Sequence, residues 1–252
     1  MKKMTSNETT DFGFKKILTE EKTRKVAEIF SSVASDYDLM NDLMSFGIHR
    51  RWKKLTVHLS GVRKGQHVLD VAGGTGDMSL LFHQCVGDSG TVTVTDINSD
   101  MLKLGRKKFI DKGIIKGISY IQGNAENLPF KNNSFDCISI AFGLRNVADK
   151  QKSLRSMYEK IKYGGCLVIL EFSNVVSPQL KKLYDAYSFK LIPWIGRKVA
   201  KSEDSYRYLV ESIRMHPDQQ TLKTMIEEAG FSQVSYYNFS GGIVALHKAY
   251  KI

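Results

Sequence analysis

The residues of this chain best placed to do chemistry are three glycines, a threonine and a carboxylate beyond them. In Asp70-Val71-Ala72-Gly73-Gly74-Thr75-Gly76-Asp77 an apolar run stops abruptly at a glycine loop. Backbone without side chains can turn sharply there and let a ligand reach its peptide groups. Asp96 closes the next apolar run, 20 residues beyond Gly76. Its two oxygens can accept both hydroxyls of a ribose, so a nucleotide-like ligand is expected. That spacing also suits a dinucleotide. Aligning Gly74 and Gly76 with G-x-G-x-x-G/A, however, puts Ser79 at the third position, where a dinucleotide site needs Gly or Ala for close helix packing. The nicotinamide reading is weakened.

Further along, Asn124 and Ala125 lie in Gly123-Asn124-Ala125-Glu126-Asn127-Leu128-Pro129-Phe130. A short polar side chain with exposed backbone can hydrogen-bond the edge of an adenine, although a turn before Pro129 explains the segment equally well. The wall facing the ligand is expected from Ala141-Phe142-Gly143-Leu144-Arg145-Asn146-Val147.

These residues need an alternating α/β scaffold. Apolar runs at 67–71, 91–97, 118–121, 135–142 and 166–172 read as buried parallel strands. Helical segments between them include 101–112 and 150–163, the latter stopped by Gly164-Gly165. Strand–helix alternation implies right-handed βαβ units and a parallel sheet. Pro217 and Gly230 bracket one more helix. Segments 233–239 and 243–248, joined only by Ser240-Gly241-Gly242, must form an antiparallel hairpin. Ahead of the sheet, Val26, Ile29, Phe30 and Val33 form the stripe of an amphipathic helix. Residues 1–60 are read as a helical substrate-covering region, 61–252 as the main part of a single domain, and 173–216 as an insertion over the acceptor site.

The 252 residues, 42% hydrophobic, suffice for one large core. A net charge of +11 favours polyanionic surfaces. Cys85, Cys137 and Cys166 are scattered, with neither CxxC nor matching His spacing, so no disulfide framework and no metal site is expected, in keeping with a reducing cytoplasm. The polar start lacks a signal-peptide core, and no run is long enough to span a membrane. From Leu180 to Trp194, an apolar stripe flanked by Lys181, Lys182 and Lys190 suits contact with a membrane surface or packing on the core.

Three strings are more specific than the glycine loop: Ser35-Asp36-Tyr37-Asp38-Leu39-Met40-Asn41-Asp42 running on to His49-Arg50, Phe142-Gly143-Leu144-Arg145-Asn146, and Asp204-Ser205-Tyr206-Arg207-Tyr208-Leu209 through Arg214-Met215-His216-Pro217-Asp218. Over almost the whole chain the sequence resembles the bacterial ubiquinone/menaquinone biosynthesis C-methyltransferases. The resemblance implies a class I S-adenosylmethionine methyltransferase fold, Rossmann-like, with a mostly parallel seven-stranded sheet and a C-terminal antiparallel hairpin. It implies methyl transfer from S-adenosylmethionine to a ring carbon of a polyprenylated benzoquinol and of demethylmenaquinol, at the inner face of a membrane and in company with other quinone-biosynthesis proteins. Thr75, Asp96, Asn124 and Ala125, with Gly73, Gly74 and Gly76, would hold the cofactor. Arg145 is expected to stabilise a phenolate, Asn146 to orient it, and Tyr37, Asp38, His49 or His216 to meet the substrate or act as base. The alternative is an RNA or other small-molecule methyltransferase, for which the charge argues but no acceptor motif is present.

Overall fold

The computed structural model describes residues 9–32, 41, 42, 45, 47–186 and 203–252. Tyr37 and Asp38 lie outside them, as does the apolar stripe beyond residue 186. The described chain opens on a hairpin that its sequence does not announce: β1 (Thr9–Phe12) pairs antiparallel with β2 (Lys15–Leu18). Helix α1 (Thr19–Ser32) follows at once, then α2 (His49–Ser60). Residues 1–60 are thus not purely helical.

The central sheet contains β3 (His67–Val71), β4 (Thr91–Asp96), β5 (Ile118–Gln122), β6 (Phe135–Ala141), β7 (Ile161–Phe172), β8 (Ser232–Phe239) and β9 (Val244–Tyr250). Their order is β5-β4-β3-β6-β7-β9-β8, parallel except at β9, which runs antiparallel to both its neighbours. Helices α3 (Asp77–Val86), α4 (Ser99–Asp111), α5 (Lys150–Lys160), α6 (Pro178–Ala186), α7 (Glu203–Arg214) and α8 (Gln219–Glu228) follow, with short 3-10 turns at Leu144–Asn146 and Ser240–Gly242. Both faces of the sheet are covered. Alternate residues divide between two cores: Leu69, Ile138 and Ile140 pack with Leu154, Met157 and Ile226 on one face, while Val68, Cys137 and Val168 pack with Trp52, Phe82 and Val86 on the other.

Two local readings are corrected. Helix α5 ends at Lys160, and Gly164 and Gly165 sit inside β7, where the pairing with β6 shifts register between Phe135 and Cys137. A glycine pair within a strand marks such a bulge as readily as a helix stop. Pro217 does not begin α8. Asp218 caps that helix by accepting a hydrogen bond from Thr221 N at 2.7 Å, and Gly230 follows its end with φ 107°.

The chain leaves β3 toward β4 and β5, then returns to β6 on the other side of β3. Strand order reverses between β3 and β6, which is where open α/β sheets bind ligands at the carboxyl ends of their strands.

Candidate active site

The glycine loop leaves β3 at this reversal. A Cβ at Gly73 would lie 2.6 Å from Val94 Cγ1, so only glycine lets the loop pass so close to β4. Gly76, with φ 82°, caps α3, and a Cβ there would lie 2.7 Å from Phe109. Beneath the loop, the buried Asp70 accepts hydrogen bonds from Ser79 Oγ and from Ser139 Oγ, the latter at 2.6 Å. Burial pushes the Asp70 carboxyl up to about 6, against the pull of those two hydroxyls. Ser79 therefore does more than fail a dinucleotide pattern: its hydroxyl ties the start of α3 to β3.

Asp96 ends β4 beside the loop. Its Oδ2 accepts from Gly74 N and its Oδ1 from Asn98 N, both at 2.9 Å. Burial raises its pKa against the backbone donors. With Gly74, Asn98 and Ile97 as backbone donors, the carboxylate keeps acceptor capacity for a ribose hydroxyl. Asn98 caps α4, accepting from Asp100 N and Met101 N, and its amide reaches Ala27 O and Ser31 Oγ on α1. A cap of this kind contributes about 1 kcal/mol.

Asp96, Gly74, Asn124 and Ala125 line one cleft, with roughly 750 Å3 of empty space partly open to solvent. Asn124 Oδ1 is occupied in its own turn by Glu126 N at 2.9 Å. Apolar side chains share the lining: Val26, Ala27 and Phe30 of α1 with Phe142 beyond β6. The stripe on α1 is legible in the sequence; that it forms a cleft wall is not.

Asn146 also lines the cleft. The segment around it is held from behind by elements far away in the chain. Thr10 Oγ1 donates to Ala148 O and Lys22 Nζ to Val147 O, each at 3.1 Å, and Tyr208 Oη donates to Asn146 Oδ1 at 3.2 Å. Burial lowers Lys22 to about 7.

Arg145 is not among the residues that line the cleft. It is buried, with Nη1 donating to Glu171 Oε1 at 2.8 Å and to Phe142 O, and it stacks over the Phe172 ring. Glu171 Oε2 accepts from Arg145 N at 3.2 Å. Glu171 matches the charge of Arg145, whose side chain does not line the cleft. His49 sits at the start of α2, its Nε2 2.8 Å from Asp42 Oδ1, with its pKa lowered by burial; it too does not line the cleft. His216 is buried, both ring nitrogens lack hydrogen-bond partners among the described residues, and burial next to Lys150 and Arg145 holds it neutral.

The geometry so far is that of a nucleoside site joined to an apolar cleft. The sequence pattern of the ubiE/COQ5 methyltransferase family matches residues 18–251. The chain belongs to that family. It is an S-adenosylmethionine-dependent methyltransferase. Among its relatives, the ubiquinone/menaquinone biosynthesis C-methyltransferase UbiE of Proteus mirabilis is 61% identical over 98% of each chain. UbiE of Cronobacter sakazakii is 59% identical over the same shares. In its fold this family member is similar to a SAM-dependent methyltransferase from Aquifex aeolicus, with TM-score 0.60 and 17% identity over 79% of this chain and 89% of that one. It is also similar to phosphoethanolamine N-methyltransferase 2 of Haemonchus contortus, solved in complex with S-adenosyl-L-methionine, with TM-score 0.58 and 14% identity over 80% of this chain and 52% of that one.

Proposed function

We propose that this methyltransferase acts on a ring carbon of polyprenylated quinols, converting 2-methoxy-6-polyprenyl-1,4-benzoquinol to its 3-methyl product and demethylmenaquinol to menaquinol. The observation that carries the reading is one cleft with a mixed lining: Asp96 and Gly74 of the glycine loop together with the apolar Val26, Ala27, Phe30 and Phe142, and Asn146 as a further polar group. The names of the relatives, in which UbiE is a ubiquinone/menaquinone C-methyltransferase, support the same acceptor class.

Bound S-adenosylmethionine supplies an already activated sulfonium methyl group. The glycine loop from Gly73 to Gly76, with Thr75, and Asp96, Asn124 and Ala125 would hold it; Gly74 brings loop backbone to the cleft, and the remaining acceptor capacity of Asp96 suits it. Holding two reactants in line is worth roughly 7–11 kcal/mol, so positioning is the main task. With Oδ1 taken by Tyr208, the Asn146 amide N–H groups are left to donate to a quinol oxygen as its proton leaves. Arg145 then serves as a positioning residue behind Asn146. Tyr37 and Asp38 are assigned to the substrate side from the sequence alone.

On the same reading the protein works peripherally on the cytoplasmic face of a membrane, with residues 1–60 and 173–216 over the acceptor side and other quinone-biosynthesis proteins as its company. The +11 charge supports this, and no helix among the described residues is long and apolar enough to cross a bilayer. The deciding experiment incubates the protein with S-adenosylmethionine and a reduced, short-tailed demethylmenaquinol. A ring-methylated product in the mass spectrum is expected; methylation of RNA, with none of the quinol, would overturn the reading.

A further inference from the structure

A second, smaller recess adjoins the cleft and shares Ala72, Gly74 and Phe142 with it. Its charged lining is Lys53, Asp70 and Asp77. Lys53 projects from α2, and its side chain is only 9% exposed. Its Nζ lies 2.8 Å from Asp77 Oδ2, while Lys108 Nζ grips Asp77 Oδ1 at 2.6 Å. Two ammonium groups thus face one carboxylate. Burial alone would raise the Asp77 pKa, but the pull of Lys53 and Lys108 overcomes it and holds the carboxyl well below the usual range. The Asp70 carboxylate at the floor is occupied by Ser79 and Ser139.

An ammonium group has three N–H donors. Lys53 makes one hydrogen bond among the described residues, to Asp77. Burying a cation with donors to spare is costly unless a second acceptor arrives. Lys108 does not line the recess, so of the two ammonium groups on Asp77 it is Lys53 that faces the recess with N–H donors to spare.

We propose that Lys53 binds the α-carboxylate of the amino acid end of S-adenosylmethionine, with Asp77 as the residue that positions its ammonium group. The proposal rests on the reading that the cofactor lies along Asp96 and the glycine loop. If its ribose meets Asp96, the part of the cofactor past Gly74 enters the recess that contains Lys53. The only anionic group on that part of the cofactor is the carboxylate. Lys53 is therefore expected to discriminate between S-adenosylmethionine and its decarboxylated form, which keeps the adenosine, sulfonium and amine.

Calorimetric titration of both ligands into wild-type protein and into Lys53→Met tests this. Hydrogen bonds to charged groups are worth enough to change affinity by about tenfold or more. The wild type should bind S-adenosylmethionine about tenfold more tightly than the decarboxylated ligand. Lys53→Met should lose that preference by weakening S-adenosylmethionine alone, and Lys53→Arg should retain it. Equal weakening of both ligands in Lys53→Met would overturn the proposal and leave Lys53 as a brace for the loop. Should Lys53→Met not fold, as judged by circular dichroism, a wild type indifferent to the carboxylate overturns it just as well. A wild type that binds neither ligand removes the cofactor reading itself, an outcome distinct from the others.

Discussion

The hydroxyl of Tyr208 donates to Oδ1 of Asn146 at 3.2 Å, joining α7 to the cleft across 62 residues of sequence. Tyr208 is buried and stacked on Phe12 of the N-terminal hairpin, ring centroids 4.5 Å apart. Burial pushes its phenol up to about 12, so it remains a donor at any working pH. Asn146 is thereby kept with one orientation of its amide in the cleft.

Removing that donor should misorient Asn146 without touching the cofactor side. Tyr208→Phe is expected to lower kcat for a short-tailed demethylquinol by about tenfold, the scale of one neutral hydrogen bond, while the Kd for S-adenosylmethionine stays within twofold. Steady-state kinetics beside calorimetry checks this, and an unchanged kcat would deny Asn146 its role at the acceptor.

Asp96 holds the loop through Gly74 N and Asn98 N, and on the proposed reading it also meets the ribose. Asp96→Asn should be about as damaging as Asp96→Ala, because its new amide N–H would face a backbone N–H. Affinity for S-adenosylmethionine should fall by about 1.5–3 kcal/mol in either variant. Calorimetry that finds Asp96→Asn at full affinity would refute the ribose assignment.

The Arg145–Glu171 pair is enclosed, with side chains 4% and 2% exposed. Breaking such a pair from one side leaves an uncompensated buried charge, which costs about 3–5 kcal/mol. Arg145→Ala should lose stability on that scale in urea unfolding, whereas Arg145→Met combined with Glu171→Leu should regain most of it. Turnover read in the double variant separates a chemical role of Arg145 from a structural one. Near-normal turnover there would mean that its work is to hold the 144–146 turn.

Asp70 links stability to pH. Its folded pKa, about 6, exceeds the ordinary 3.8, so its favourable contribution is complete below the unfolded value and lost as pH rises through about 6. Compared with Asp70→Asn, which cannot take up the proton, the wild type should gain stability on the order of 1 kcal/mol between pH 7 and pH 5. Urea unfolding of both proteins at the two pH values measures the difference. A gap that does not move would show that Asp70 stays ionised under its two serines.

Much of the loop side of the cleft was legible in the sequence, because its signals are local. Gly73 to Gly76 and Asp96 stand at the ends of apolar runs, and a run ending in a small-residue loop reports a strand end wherever it occurs. The stripe of Val26 and Phe30 was legible for the same reason. Periodicity says which face of a helix is apolar, but not what that face meets. The pairings that build the acceptor side were decided by strand order and packing. Arg145 reads as a free cation until β7 sets Glu171 beside it, and Asn146 reads as its neighbour until Tyr208 arrives from α7. Lys53 is one basic residue among many in α2 until α3 brings Asp77 within 2.8 Å. Such contacts join residues whose separation along the chain carries no periodic signal, so only the tertiary structure decides them.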